Sequence, residues 1–263
     1  MGTLILQSSA FDSFFDISTG LSPYTISSLI VIGIICLLSF YIAIRAHFAN
    51  PLKAPKGILF VAEFFVGFFD KQVEEMMGKG YQGFGGFILA IAAYIFIGFI
   101  FGLTGLPSPM PCLATTLSLG FITFFLIHAN AVKTNHWKYF KRYVEPFPVF
   151  LPINLISMWA PLLSLSMRLF GNAIAGWTLM TLVYQAFNSM GNSVITFVVN
   201  GAEQSLGAGS FVAPFITPLL HAYFDLFSAF IQTTVFIFLT MIFISNEGPE
   251  IDDSYEFSRE GGK

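Results

Sequence analysis

Long apolar segments recur along this chain, and they limit what it can fold into. Residues 25–44, 86–104 and 113–132 each contain no Asp, Glu, Lys or Arg. A helix of about 20 apolar residues crosses the hydrocarbon core of a bilayer. Charged residues make up only 10% of the chain, whereas soluble domains carry about 25%. The sequence therefore predicts an all-α integral membrane protein with lipid around most of its exterior.

Basic residues set the predicted orientation of these segments. Three cations follow the first segment within residues 45–56, and four follow the third within residues 133–142. Because Lys and Arg concentrate in loops on the inner side of a membrane, we expect the N-terminus outside and the C-terminus inside. Residues 57–79 mix apolar and charged residues, which predicts an amphipathic helix lying at the membrane interface.

Residues 147–188 form an apolar stretch about twice as long as one span needs. A hairpin with a turn at Gly171-Asn172 is one interpretation, and a single long, tilted helix is the other. We favour the single helix, because the prolines of this stretch lie near its start, where they can bend the entry. Residues 189–210, rich in Gly, Ser and Asn, indicate a loop with at most a short helix, and residues 211–245 a further long helix. Five membrane helices are thus expected.

We expect one integral membrane domain over residues 1–263. It would comprise an outer N-terminal segment (1–24), a helical membrane region (25–245) and a polar, acidic tail (246–263). The N-terminal residues lack the basic region of a cleavable signal or targeting sequence. This favours a bacterial plasma membrane over a mitochondrial inner membrane.

Arg168 is the one Lys or Arg deep inside an apolar segment. A guanidinium at the bilayer centre costs at least ~2.5–3.5 kcal/mol, and it cannot escape by losing its proton. It must therefore meet a carboxylate or a polar cavity. Ser164 and Asn172 lie four residues to either side and are expected on the same helical face. The small residues Gly171 and Ala175 would let another helix approach closely there.

The last apolar segment carries His221, Asp225 and Gln232, at intervals of four and seven that favour one helical face. If the last two helices run antiparallel, a polar seam containing Arg168 and Asp225 can form. Simpler interpretations stay open at this point. Asp225 could be a structural ion-pair partner of Arg168, and His221 could be an interfacial residue.

Other kinds of site find no support in the sequence. No GxxxxGK[ST] phosphate loop, zinc-ligand spacing or GxSxG motif is present, and no basic run suggests nucleic acid. Cys36 and Cys112 lie in apolar surroundings and are expected to be packing residues. We therefore expect no metal and no cofactor.

Three stretches resemble subunit a of the F-type rotary ATP synthase. They are MRLFGNAIAG (167–176), PFPVFLPINLI (146–156) and FDLFSAFIQTTVFIFLTMIFIS (224–245). The resemblance covers about residues 57–245. It implies that the last two helices are long, strongly tilted and wrapped around a rotor ring of c subunits. The ring, the b-type peripheral stalk, the F1 sector and membrane lipid are the implied partners.

The resemblance also implies a mechanism. Two offset half-channels pass protons to and from the rotor carboxylates, and Arg168 stands between them to prevent a proton short circuit. Asn172 and Gln232 match family positions near this Arg, and Ser164 matches a small polar position one turn earlier. The subunit would move protons and would not itself act on nucleotide.

Two departures from the family pattern alter the expected site. Trp177 stands where the family usually has Glu or His, and Met158 replaces a common acidic residue. Asp225 occupies the position of the remaining titratable partner. We therefore expect Asp225 to be the main titrating group of the outer half-channel, with help from His221. A secondary transporter that binds an anion at Arg168 is the remote alternative, and a purely structural scaffold would leave this Arg unexplained.

Overall fold

The computed structural model describes residues 23–49, 57–81, 83–104, 106–135, 151–199 and 216–247, and these residues form helices with short connections and no strand. The long helices are α1 (Pro23–His47), α2 (Ile58–Met77), α3 (Gly85–Ile100), α4 (Leu113–Asn135), α5 (Leu151–Val199) and α6 (Ile216–Asn246). Short 3-10 segments follow α2 (Lys79–Tyr81) and α3 (Phe101–Thr104). The prediction of an all-α membrane protein is confirmed.

Four helices in the described ranges are long and apolar enough to cross a membrane. They are Pro23–His47, Gly85–Thr104, Leu113–Thr134 and Ile216–Asn246. These correspond to four of the five membrane helices that the sequence predicts. The fifth, α5, does not belong to this set, and neither does the amphipathic helix α2. Leu29, Leu37 and Phe40 on α1 are more than half exposed, as expected for a helix against lipid.

Helix α5 is continuous over 49 residues, which corresponds to a length of about 73 Å if it is straight. No turn interrupts it at Gly171-Asn172, so the hairpin interpretation is wrong and the single helix is confirmed from residue 151 onward. Residues 147–150 lie outside the described residues. The predicted loop was placed too early, because residues 189–199 are helical. An isolated Gly costs a helix only about 1 kcal/mol relative to Ala, so Gly191 does not end it.

Helix α6 lies at the centre of the packing and contacts α2, α3, α4 and α5. From Ser228 onward its buried side chains follow a helical spacing and are Ala229, Thr233, Phe236, Ile237, Thr240, Met241 and Ile244. Helix α3 packs against α1, α2 and α6, while α4 packs chiefly against α5. One side of α5 is therefore covered by α4 and α6.

A glycine allows α4 and α5 to approach each other closely. A Cβ atom built on Gly120 would lie 2.0 Å from Ser166 Oγ and 3.2 Å from the backbone oxygen of Leu162. Real Cβ atoms do not approach backbone atoms and hydroxyls so closely without displacing them. The α4–α5 distance therefore depends on the absence of a side chain at position 120, as in other membrane helix pairs with small residues at the contact.

Candidate functional site

One face of α5 is left uncovered by the rest of the described chain. Ser164, Arg168 and Ala175 are exposed, Gly171 is half-buried, and we call these four residues the open face of α5. A Cβ atom built on Gly171 would meet nothing within 4 Å. The opposite side of the helix is buried, at Leu162, Leu165, Leu169, Ala173 and Met180. The small residues thus leave space in front of the guanidinium.

Within the described part of the chain, Arg168 forms no ion pair. Its Nη2 donates a long hydrogen bond of 3.5 Å to Ser164 Oγ, one turn earlier on the same helix. Asp225 Oδ2 instead lies 2.5 Å from His221 Nδ1. The interpretation of Asp225 as a structural ion-pair partner of Arg168 is therefore wrong. The i,i+4 spacing on α6 brings the imidazole closer to the carboxylate than the neighbouring helix brings the guanidinium.

Asn172 is turned toward α6, away from the open face. Its Nδ2 donates a hydrogen bond to Ser228 Oγ. The predicted common face of Ser164, Arg168 and Asn172 therefore holds for the first two residues only. Each step of four residues rotates a side chain by about 40° around the helix, so two steps are enough to bring Asn172 to the α6 side. Asn172 thus links α5 to α6 beside the open face.

The contacts between α5 and α6 show that these helices run antiparallel. Asn172 is level with Ser228, and the Cβ position of Gly176 lies 3.7 Å from Phe224 Cδ1. Further along α5, Tyr184 reaches His221. Residue numbers thus rise on one helix as they fall on the other. This confirms the condition on which the predicted polar seam depends.

Three side chains from α5 and α6 form a hydrogen-bonded group that we call the His221 cluster. Tyr184 Oη lies 2.8 Å from His221 Nε2, and His221 Nδ1 lies 2.5 Å from Asp225 Oδ2. The side chains of His221 and Asp225 are 34% and 26% exposed, so neither is fully enclosed by the described chain. Reasoning from the sequence missed Tyr184. The antiparallel register of the two helices would have pointed to it.

A π-helical turn, Ala222–Phe227, interrupts α6 at Asp225. Regular α-helix resumes at Ser228, where the bond to Asn172 is made. A π turn inserts an extra residue into a helical turn and is frequent at functional sites. His221, just before this turn, and Ser228, just after it, both bond side chains of α5, so the turn lies within the α5–α6 contact.

The remaining predicted residues lie near these groups without joining the His221 cluster. Gln232 is half-buried, and its Oε1 is buried without a hydrogen-bond partner among the described residues. Met158 and Trp177 are half-buried on α5. Cys36 is exposed and Cys112 is buried, and both are free thiols. In the described ranges, no group of three or more His, Cys, Asp or Glu side chains is placed to hold a metal ion.

Comparison with known proteins identifies the kind of protein that carries these features. The family model described as ATP synthase A chain matches residues 25–245, which include α5, all of α6 but its last residue, and the whole candidate site. The chain belongs to this family. It is therefore an integral membrane subunit of the Fo complex of an ATP synthase, the complex that contains the c ring, and it takes part in ion translocation.

The individual relatives are ATP synthase A chain proteins from bacteria. ATP synthase subunit a of Mycoplasma genitalium is 28% identical over 271 residues, which cover 95% of this chain and 91% of the relative. ATP synthase subunit a of Sulfurihydrogenibium sp. is 28% identical over 74% of this chain and 84% of the relative. The sodium ion specific ATP synthase subunit a of Propionigenium modestum is 35% identical over 53% of this chain and 40% of the relative.

Proposed function

We propose that this chain provides two offset half-channels that carry protons to and from the carboxylates of the c ring. In this proposal Arg168 separates the half-channels, and the His221 cluster lines the outer one. The coupling of proton flow to rotation then depends on a proton being unable to pass Arg168 except on the rotor. The observation that carries the proposal is the position of Arg168 on the open face of α5, without a carboxylate partner in the described chain.

The chemistry of the guanidinium supports this role. An Arg side chain stays protonated in proteins, so it cannot relay a proton and blocks a direct leak. Its charge also favours the ionised form of a carboxylate brought close to it. Ser164 Oγ is its one hydrogen-bond acceptor in the described residues, at 3.5 Å. The remaining donors of the fork are free to meet a carboxylate from another chain.

The arrangement on α6 supports a separate outer half-channel. His221 and Asp225 can both exchange protons, whereas Trp177, on α5, cannot. The cluster lies further along α5 than Arg168, because Tyr184 is 16 residues from it, or about 24 Å along the helix. Asn172 and Ser228 lie between the two levels, and the unpartnered Oε1 of Gln232 offers a further polar atom toward the inner end of α6. Protons would thus enter away from Arg168 and approach it along a polar seam.

The wider setting follows from the same proposal. The open face of α5 would meet the c ring, and α5 and α6 would be tilted around it. The N-terminus would lie outside and the C-terminus inside, in a bacterial plasma membrane. The b-type peripheral stalk and the F1 sector would hold the subunit against rotation. Where Met158 replaces an acidic residue, bound water would carry protons through the inner half-channel.

The decisive experiment replaces Arg168 in the whole ATP synthase. Arg168→Ala is expected to abolish proton-driven ATP synthesis and ATP-driven proton pumping in reconstituted vesicles, while ATP hydrolysis by the uncoupled F1 sector persists. Arg168→Lys is not expected to restore coupling, since an ammonium lacks the planar fork and can lose its proton when buried. A pH-sensitive dye in the vesicles reports the pumping.

Arg45→Ala provides the matched control, because Arg45 is exposed at the end of α1 and far from the open face in the sequence. It should leave pumping at the wild-type rate. Normal pumping by Arg168→Ala would exclude the proposed function.

A further inference from the structure

We propose that Tyr184 is a positioning residue that holds the His221 ring against Asp225 in both protonation states of the imidazole. This inference rests on the proposed outer half-channel and assigns a role to Tyr184, to which that proposal gives none. The geometry is a chain of two hydrogen bonds across two helices. Tyr184 on α5 lies 2.8 Å from one ring nitrogen of His221, and Asp225 lies 2.5 Å from the other.

A proton relay through His221 makes an unusual demand on its neighbours. A neutral imidazole has one donor and one acceptor nitrogen, and a protonated imidazole has two donors. The partner of Nε2 must therefore be a donor in one state and an acceptor in another. A carboxylate or a backbone N–H group could serve only one of these states. Without a suitable partner in the other state, the ring would turn away from Asp225.

The hydroxyl of Tyr184 meets this demand. A phenol has one O–H donor and can also accept a hydrogen bond. When Nε2 carries no proton, the hydroxyl donates to it, and Nδ1–H then points at Asp225 Oδ2. When Nε2 carries a proton, the hydroxyl rotates and accepts from it. The ring thus keeps its contact with the carboxylate while its proton count changes.

The exposure of the three side chains falls along the hydrogen-bonded chain from Tyr184 through His221 to Asp225. Tyr184 is exposed, whereas His221 and Asp225 are half-buried, with side chains 34% and 26% exposed. The tyrosine therefore lies at the accessible end of the cluster and the carboxylate at the covered end. The rings of Tyr184 and His221 are tilted by 45° with centroids 6.2 Å apart, so the hydroxyl and not ring stacking makes the contact.

No other described titratable group competes for the imidazole. On α6 the group that contacts it is Asp225, and on α5 it is Tyr184. Helix α3 also packs against the π-helical turn, and its one titratable side chain, Tyr94, binds Ser28 Oγ on α1 at 2.6 Å. The hydrogen-bonding state of His221 is thus determined by two partners.

Tyr184→Phe in the whole ATP synthase tests the inference, because it removes the hydroxyl and keeps the ring. Proton flux through the complex in vesicles is expected to fall about three- to tenfold, the effect of losing one positioning hydrogen bond. Measured from about pH 6 to pH 8, the variant should lose the part of the pH profile that His221→Ala also loses. In a His221→Ala background, Tyr184→Phe should have no further effect.

Tyr223→Phe is the matched control. Tyr223 is an exposed tyrosine in the π-helical turn, stacked on Phe227 with ring centroids 5.5 Å apart, and its hydroxyl has no partner in the described residues. Its removal should not change flux in either background. An equal loss in Tyr223→Phe, or an undiminished effect of Tyr184→Phe after His221→Ala, would show that Tyr184 acts through general packing and would overturn the inference.

Asp225→Asn separates this inference from the proposed function. If Asp225→Asn stops proton flux and Tyr184→Phe leaves it at the wild-type rate, the positioning role is wrong and the half-channel stands. If Asp225→Asn itself leaves flux unchanged, the half-channel proposal is wrong. Failure of the Tyr184→Phe complex to assemble, judged by copurification with the c ring, would also overturn the inference, because the hydroxyl would then be a requirement of folding.

Discussion

Arg168 and Asp225 carry opposite charges on adjacent helices, and each binds a different neighbour. Arg168 donates to Ser164, and Asp225 binds His221. A direct ion pair would satisfy both groups within this chain and would be costly to break once buried. Their separation leaves the guanidinium available to another carboxylate and leaves Asp225 available for proton exchange. The proposed function depends on this separation of Arg168 from Asp225.

Asp225→Asn should slow proton-driven ATP synthesis about a hundredfold or more, the range associated with loss of a positioned acid–base group. Asparagine keeps the shape of the side chain but cannot take up a proton. Assembly of the complex should remain intact, as measured by copurification of the c ring. His221→Ala should have a smaller effect, because the carboxylate would still be present.

Glu75→Gln is the control for this change. Glu75 is an exposed carboxylate on α2 that pairs with Lys71 at 3.6 Å, so its loss should not alter proton flow. Wild-type synthesis by Asp225→Asn between about pH 6 and pH 8 would mean that Asp225 is only structural and that water carries the proton past it.

At the scale of helices, two glycines on neighbouring elements have opposite environments. Gly120 on α4 lies in the tight contact with α5, where an added Cβ would collide with Ser166. Gly171 on α5 faces open space, where an added Cβ would meet nothing within 4 Å. The first glycine fixes the distance between two helices of this chain. The second leaves space on the open face, where the proposed function places a helix of the c ring.

Gly120→Ala should therefore destabilise the subunit by about 1–3 kcal/mol, the usual effect of overpacking a tight contact. Gly171→Ala should not destabilise the subunit and should raise its stability by up to about 1 kcal/mol, because Ala is the better helix former. The temperature of half-unfolding of the purified subunit in detergent, measured by circular dichroism, distinguishes the two variants. Equal stability of both would contradict the close α4–α5 approach.

The elements themselves could be predicted from the sequence where one physical effect dominates. Uncharged stretches of membrane-spanning length located α1, α3 and α4, and the lack of a proline or charge cluster beside Gly171-Asn172 favoured a continuous α5. The helical residues 189–199 were missed, because Gly, Ser and Asn favour loops only weakly when apolar residues follow. The π-helical turn was also missed, since it depends on how α6 packs and not on a local residue pattern.

The candidate site shows the same division. Arg168, Asp225 and His221 could be found because charged groups are rare in an apolar segment. The hydrogen-bond partners of these groups could not be found from the sequence, because the partners depend on the register and rotation of two helices. Asn172 turned to Ser228 for that reason, and Tyr184 joined His221 from the other helix.

For the molecule as a whole, the packing divides the chain into a covered centre and an uncovered side. Helix α6 is surrounded by four others, while α5 is covered on one side only. Ala173 and Ala175 lie two residues apart on opposite sides of this division, one 8% exposed and the other classed as exposed. The buried side of α5 thus packs within this chain, and the open face is the side that the proposed function turns toward the c ring.

Cysteines at these two alanines should report the contact. In the assembled ATP synthase, Ala175→Cys is expected to form a disulfide with a cysteine placed on the outer helix of the c ring, and Ala173→Cys is not. Gel mobility before and after reduction measures the cross-link. A cross-link from position 173 with none from position 175 would place the ring on the buried side of α5 and would contradict the proposed contact at the open face.

The two sides of α5 also differ in how a harmful substitution can be repaired. A change at Leu165 or Leu169 alters contacts with side chains of the same polypeptide, so a second substitution in the same gene can compensate for it. In the proposed function, a change on the open face alters the fit to the c ring, which is a separately encoded protein. Compensation must then arise in another gene. A search for suppressor mutations would therefore separate the two sides of this single helix. Suppressors of changes on the buried side would map to the same gene, and suppressors of changes on the open face would map to another gene.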